Sequence, residues 1–149
     1  MTTEHEKLFM KIQRVGNRFV SLERGLVFQH REVKLHASEI HLMKTLVYHP
    51  DVNASALAKL LGVTKGAVSQ TLSRLEQKGV LSKLADSLNR NELKMSLTPS
   101  GSEALNAFDA ENAGRWNDFL TYIESLSKDE HETIMGFLAN LEAFLSSLG

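Results

Sequence analysis

Residues 53–79 read NASALAKLLGVTKGAVSQTLSRLEQKG, and the punctuation within them sets the architecture. Asn53 has a side-chain oxygen suited to cap the free amides of a short helix, Ala54 to Leu61, with Leu57, Leu60 and Leu61 expected on its inward face. Gly62 stops that helix. Only Gly62 and Val63 separate it from Thr64, a second N-cap, and the next helix runs to Lys78 before Gly79 supplies a left-handed C′ position. A short helix, a glycine-containing turn and a second helix make the helix-turn-helix pattern, whose second helix is shaped to enter a major groove.

On that second helix Val68, Leu72 and Leu75 fall at i, i+4 and i+7 and must face inward, leaving Lys65, Gly66, Ser69, Gln70, Ser73 and Arg74 outward. The outer face holds no acid. Gln70 has the two-point geometry that pairs with adenine, Ser69 and Ser73 suit bases or phosphates, and Lys65 and Arg74 suit phosphate oxygens. Gly66 lets a ligand backbone come close. A solvated polar face on an ordinary helix has a similar composition, so it is the helix-turn-helix setting that favours nucleic acid.

Working outward, Val80 to Leu84 and Leu93 to Leu97 are short, partly alternating runs that read as a β-hairpin with a polar tip, Ala85 to Glu92. Arg90, between Asn89 and Asn91, gives that tip a cation suited to an adjacent minor groove, and Lys94 adds a second on the returning strand. Thr98 followed by Pro99 is an N-cap and first-turn pair. The remainder reads as two helices, about Pro99 to Ser125 and Lys128 to Leu148, with Ser127 and Glu130 at capping-box spacing between them.

Upstream, Leu8, Ile12, Val15, Phe19, Leu22 and Leu26 recur at spacings of four and three, which predicts one long amphipathic helix from about Thr3 to Gln29. Another spans about Ala37 to Tyr48, with Ile40, Met43, Leu46 and Val47 on one side and Pro50 ending it. Ile134, Phe137, Leu138, Leu141, Phe144, Leu145 and Leu148 form a near-heptad stripe, and Trp116, Phe119, Leu120 and Ile123 form another. These stripes exceed what a small winged module can cover, which points to a second copy of the chain.

The fold class expected is therefore mainly α with a small β-hairpin. One domain, residues 1–149, would hold a winged helix-turn-helix lobe at about 35–98, flanked by dimerisation helices at about 3–30 and 99–148.

Charge supports this division. The whole chain carries only −1, but residues 64–98 hold six basic side chains against three acidic, a local +3, while residues 101–149 hold two against nine, a local −7. One region attracts phosphate and the other repels it. Absence of cysteine excludes disulfides, thiolate metal sites and thiol-based redox sensing. No apolar run approaches a membrane span and the amino terminus is too polar for a secretory signal, so a soluble cytoplasmic location with no membrane partner is expected.

Taken together, Asn53 to Leu61, Val63 to Gly79 with Arg74-Leu75-Glu76-Gln77-Lys78-Gly79, and Leu97-Thr98 with Gly101 resemble the MarR (multiple antibiotic resistance regulator) family over roughly residues 35–101. The order of flanking helices agrees with that family along the whole chain. The resemblance implies a homodimeric transcriptional regulator, chiefly a repressor, that binds double-stranded DNA through Thr64, Lys65, Ser69, Gln70 and Arg74, with the hairpin as a wing. It also implies a small aromatic or anionic effector, for which Arg18, His41 and Trp116 are candidates. One departure stands out: the family's wing carries Asp-x-Arg, and here Asn89 and Asn91 occupy those positions.

Catalytic motifs are missing. His131-Glu132 begins an HExxH zinc signature, but Met135 stands where the second imidazole is needed. No phosphate loop, dinucleotide fingerprint or nucleophile elbow occurs, so no enzyme activity or cofactor is expected. His30, Glu32, His36, Glu39 and His41 cluster in sequence, with a metal-responsive sensor as one alternative and a capping role for His36 and Glu39 as the plainer one. The other alternative is a winged module that holds a protein partner without reading DNA.

Overall fold

The computed structural model describes residues 3–85 and 93–149. In chain order the elements are α1 (Glu4–Gly25), β1 (Val27–His30), β2 (Val33–His36), α2 (Ala37–Tyr48), α3 (Ala54–Leu61), α4 (Lys65–Gln77), β3 (Leu81–Ala85), β4 (Leu93–Leu97), α5 (Pro99–Asn112), α6 (Asn117–Glu124) and α7 (Lys128–Leu148). By its internal contacts the chain divides into two compact units, Met1–Asp109 and Ala110–Gly149.

The first unit contains the core. Leu35, Ile40, Leu42, Met43, Leu57 and Leu75 are at most 1 % exposed, and Val68, Leu72, Val80, Leu81, Met95 and Leu105 belong to the same cluster. Burying each such side chain contributes about 1.5–3 kcal/mol, which is why α2, α3 and α4 hold together around the helix-turn-helix. The expected turns are in place: Asn53 Oδ1 accepts from the Ala56 amide at 2.9 Å, Thr64 Oγ1 from the Ala67 amide at 3.1 Å, and Gly62 and Gly79 have φ of 65° and 70°.

Strands β3 and β4 pair antiparallel from Leu81↔Leu97 to Ala85↔Leu93. Their base is fastened to α5. The Thr98 hydroxyl donates to the Gly79 carbonyl at 2.7 Å and accepts from the Gly101 amide at 3.1 Å, and the Thr98 amide donates to the Val80 carbonyl at 3.1 Å. Gly101 is needed for this approach, because a Cβ there would sit 2.0 Å from the Val80 carbonyl oxygen.

Three features differ from the sequence expectations. The first helix ends at Gly25, and what was expected as its tail belongs to a second hairpin, with Phe28↔Leu35 and His30↔Val33 in register. Phe28 and Leu35 point into the core. The turn of this hairpin carries no glycine or asparagine; Arg31 takes φ 51° instead, held by an ion pair to Glu103 on α5 at 2.6 Å. The helix expected from Pro99 to Ser125 is interrupted at 113–116, where the Arg115 amide bonds back to the Asn112 carbonyl and α6 starts afresh. Asn112-Ala113-Gly114 contains two of the weaker helix formers side by side with a single alanine. Finally, Leu60 and Val47, expected to face inward, are more than half exposed, while Leu42 takes an inward place on α2.

The second unit comprises the end of α5, α6 and α7. Ser127 and Glu130 form the expected capping box at the start of α7, and neither α6 nor α7 contains a buried residue. No described helix is long and apolar enough to cross a membrane.

Candidate nucleic-acid interface

Helix α4 turns Val68, Thr71, Leu72 and Leu75 into the core. Its opposite face, Lys65, Gly66, Ser69, Gln70, Ser73 and Arg74, is exposed. Among the described residues outside its own helix backbone and chain neighbours, the nearest atom to where a Gly66 Cβ would be is Thr64 Oγ1, at 3.9 Å. The two residues at the outer ends of the face behave differently. Lys65 makes no ion pair among the described residues, whereas Arg74 donates from Nη2 to Thr71 Oγ1 at 2.9 Å and has its Nε 3.6 Å from Glu39 Oε1.

Between the start of α3, the outer face of α4 and the hairpin lies a cleft of about 370 Å³. Its lining includes polar Asn53, Ser55, Lys65, Ser69, Ser73 and Lys83 and apolar Leu72, Leu93 and Met95. Asn53 and Thr64 cap the first turns of α3 and α4 beside it, and Lys65 and Lys83 are the cations of its lining.

The positive balance of this region is less available than the count of charges suggested. Lys78 is bound to Glu39 at 2.7 Å, Lys83 to Glu76 at 3.2 Å, and Lys94 lies 3.9 Å from Asp51. Lys65 is therefore the exposed cation of the α4 face, and Arg74 the partly committed one. Asn89 and Arg90, expected at the hairpin tip, lie outside the described residues.

Sequence reading gave Glu39 a capping role beside His36, which the structure bears out, but not its burial or its pairing with Lys78. Glu39 is 1 % exposed, accepts from the His36 amide at 2.9 Å, and receives both short contacts of the Lys78 ammonium. Its spacing from His36 signalled the amide bond, but its pairing with Lys78 is set by how α2 packs on α4. Thr71 was overlooked, because a threonine between Gln70 and Leu72 gives no sign of its direction.

The effector candidates are scattered differently. His41 Nδ1 faces Glu23 Oε1 of α1 at 3.4 Å, Arg18 is exposed on α1, and Trp116 is half-exposed in the second unit. No three histidine, aspartate or glutamate side chains converge among the described residues, and the carboxylate of Glu39 is taken up by Lys78.

Comparison with known proteins places this geometry. Residues 35–92 match the model of the MarR family. Over that stretch the chain is similar to the MarR family. Solved structures with the same fold extend the likeness to the flanking helices of the MarR domain. FabT of Streptococcus pneumoniae in complex with DNA is 23 % identical, with a TM-score of 0.66 over 98 % of this chain and 100 % of that one. The adhesin competence repressor AdcR of Streptococcus pyogenes is 19 % identical, with a TM-score of 0.69 over 97 % and 98 %. The MepR–DNA complex of S. aureus is 24 % identical, with a TM-score of 0.59 over 99 % and 100 %. The fold is thus the winged helix-turn-helix of the MarR type, with a hairpin ahead of α2 that the sequence expectations lacked.

Proposed function

We propose that the protein is a sequence-specific double-stranded-DNA-binding transcriptional regulator, a non-enzymatic repressor that acts as a homodimer in the cytoplasm. The observation that carries this reading is the exposed run of Lys65, Ser69, Gln70 and Ser73 on α4 beside a polar cleft, with the one acid of that helix, Glu76, paired to Lys83 at 3.2 Å. Two structures of the same fold, FabT and MepR, are complexes with DNA. Gln70 would read a base edge, Lys65 and the cleft would hold phosphates, and Arg90, which lies in sequence between the two strands, would add a phosphate or minor-groove contact.

Homodimerisation is supported by the uncovered apolar side chains of α1, including Leu8, Phe9, Val15 and Phe19, and of α7, including Phe137, Leu138, Phe144 and Leu145, each at least 41 % exposed. A two-fold pair of α4 helices calls for an imperfect palindrome with half-sites about one helical turn apart. Release by a small aromatic or anionic effector acting near Arg18, His41 or Trp116 would follow from differential affinity for two dimer states.

Selection from random duplexes at fixed salt tests the reading, because it reports preference, palindromy and spacing together. An enriched palindrome is the expected result. Gln70→Ala should then relax the preference at one base step, at a loss of about 1–3 kcal/mol, whereas Arg90→Ala should weaken all sequences and flatten the salt dependence. A pool that enriches nothing would leave the α4 face as a docking surface for protein.

A further inference from the structure

We propose that Glu39 is a positioning residue for DNA recognition, which holds the Arg74 guanidinium in its binding orientation from the buried side of α4. The inference rests on the DNA-binding reading above and names a residue that this reading does not contain.

The geometry is a chain of contacts from the core to the surface. Glu39, on the first turn of α2, is 1 % exposed, and a carboxylate so placed is tolerable only when its charge and lone pairs are met. Oε2 accepts from the His36 amide at 2.9 Å, and the Lys78 ammonium binds Oε1 at 2.8 Å and Oε2 at 2.7 Å. Lys78 also donates to the Lys34 carbonyl at 2.6 Å, so β2, α2 and the end of α4 are tied at one point. Arg74 Nε stands 3.6 Å from Oε1 of the same carboxylate.

A second contact restrains Arg74 further. The Thr71 hydroxyl donates to the Ala67 carbonyl at 2.9 Å, which turns a lone pair toward Arg74 Nη2, also at 2.9 Å. A guanidinium hydrogen-bonded at Nη2 and drawn by charge toward a carboxylate near Nε is restrained in orientation, and its Nη1 takes part in neither contact. The side chain as a whole is 49 % exposed. Lys78, closer to the carboxylate than Arg74, supplies most of the neutralising charge, and Arg74 keeps its attraction for phosphate. Freezing a long side chain before binding removes an ordering cost that the complex would otherwise bear.

The test is a double-mutant cycle on the duplex selected by the wild-type protein. Glu39→Gln keeps shape and an acceptor oxygen but removes the charge facing Arg74. It should weaken binding about fivefold, the size expected for one immobilised side chain. In an Arg74→Ala background the same change should cost nothing further. Thr71→Val removes the second hold and should show the same pattern, carrying the test if thermal melting shows that Glu39→Gln does not fold. Equal losses in both backgrounds would make Glu39 a structural tether only and overturn the proposal, as would unchanged or tighter binding by Glu39→Gln. A wild-type protein that binds no duplex would instead defeat the parent reading, and this inference with it.

Discussion

In the helix-turn-helix lobe, α2 buries Ile40, Leu42, Met43 and Leu46 within twelve residues, and α4 buries four side chains within thirteen. Helix α1, with 22 residues, and helix α7, with 21, bury none, although both carry long apolar stripes. The lobe is a structure the chain completes for itself; the long helices present surfaces that a single chain leaves uncovered. Apolar periodicity identifies both kinds of helix, but it does not say whose surface will cover the stripe.

The largest effect should come from charging an uncovered stripe. Leu138→Asp together with Leu145→Asp would bury carboxylates in the proposed dimer interface, at a cost of several kcal/mol. The isolated chain should keep its lobe, become monomeric in sedimentation, and bind a palindromic duplex at least about a hundredfold more weakly, since linkage of two half-sites is lost. A variant that stays dimeric would break the contrast between the two regions.

Next in size is the same kind of change inside the lobe. Leu57, 0 % exposed, should cost about 3 kcal/mol of stability on replacement by alanine. The midpoint of thermal unfolding should fall equally at low and high protein concentration if the lobe depends only on its own chain. A loss that vanishes at high concentration would mean that the partner copy supports the lobe too.

A somewhat smaller loss is expected for Gly101→Ala. The added methyl would meet the Val80 carbonyl oxygen at 2.0 Å, inside any permissible contact, so the start of α5 must move off the hairpin base. About 2 kcal/mol is the expected cost, measured by denaturant unfolding, and the Thr98 bonds to Gly79 and Gly101 should be lost with it. Unchanged stability would show that α5 can shift freely, and the lobe would then be less self-contained than its core suggests.

How legible each region was follows from what encodes it. Residues 53–79 were readable because caps and glycines act locally: Asn53, Gly62, Thr64 and Gly79 do what their chemistry dictates wherever they stand. The β1–β2 hairpin was not, since its turn uses Arg31 at positive φ, a conformation stabilised by Glu103 seventy-two residues away, and Leu26 continued the spacing of α1 past Gly25. The exposed residues of α4 could be assigned by period alone. Glu39 and Thr71 could not, because their roles depend on the packing of α2 against α4 and on the direction of one hydroxyl.

The smallest effect concerns how α7 is held before any partner covers it. Lacking burial, its first turn relies on the capping box, in which Glu130 accepts from the Ser127 hydroxyl at 2.7 Å and from the Ser127 amide at 2.8 Å. Those bonds, the hydroxyl first, hold the Glu130 carboxyl below its ordinary value of 4.5. A carboxyl whose folded value is depressed favours the folded state above the ordinary value, and that contribution is lost as pH falls through the lowered one. Ser127→Ala should return Glu130 toward 4.5 in a carboxyl titration followed by NMR, and should remove the part of the acid-side loss of α7 helicity that belongs to this residue. If the titration moves but helicity does not, α7 is held by a partner surface rather than by its own cap, and the uncovered stripe would then be covered already in the protein as purified.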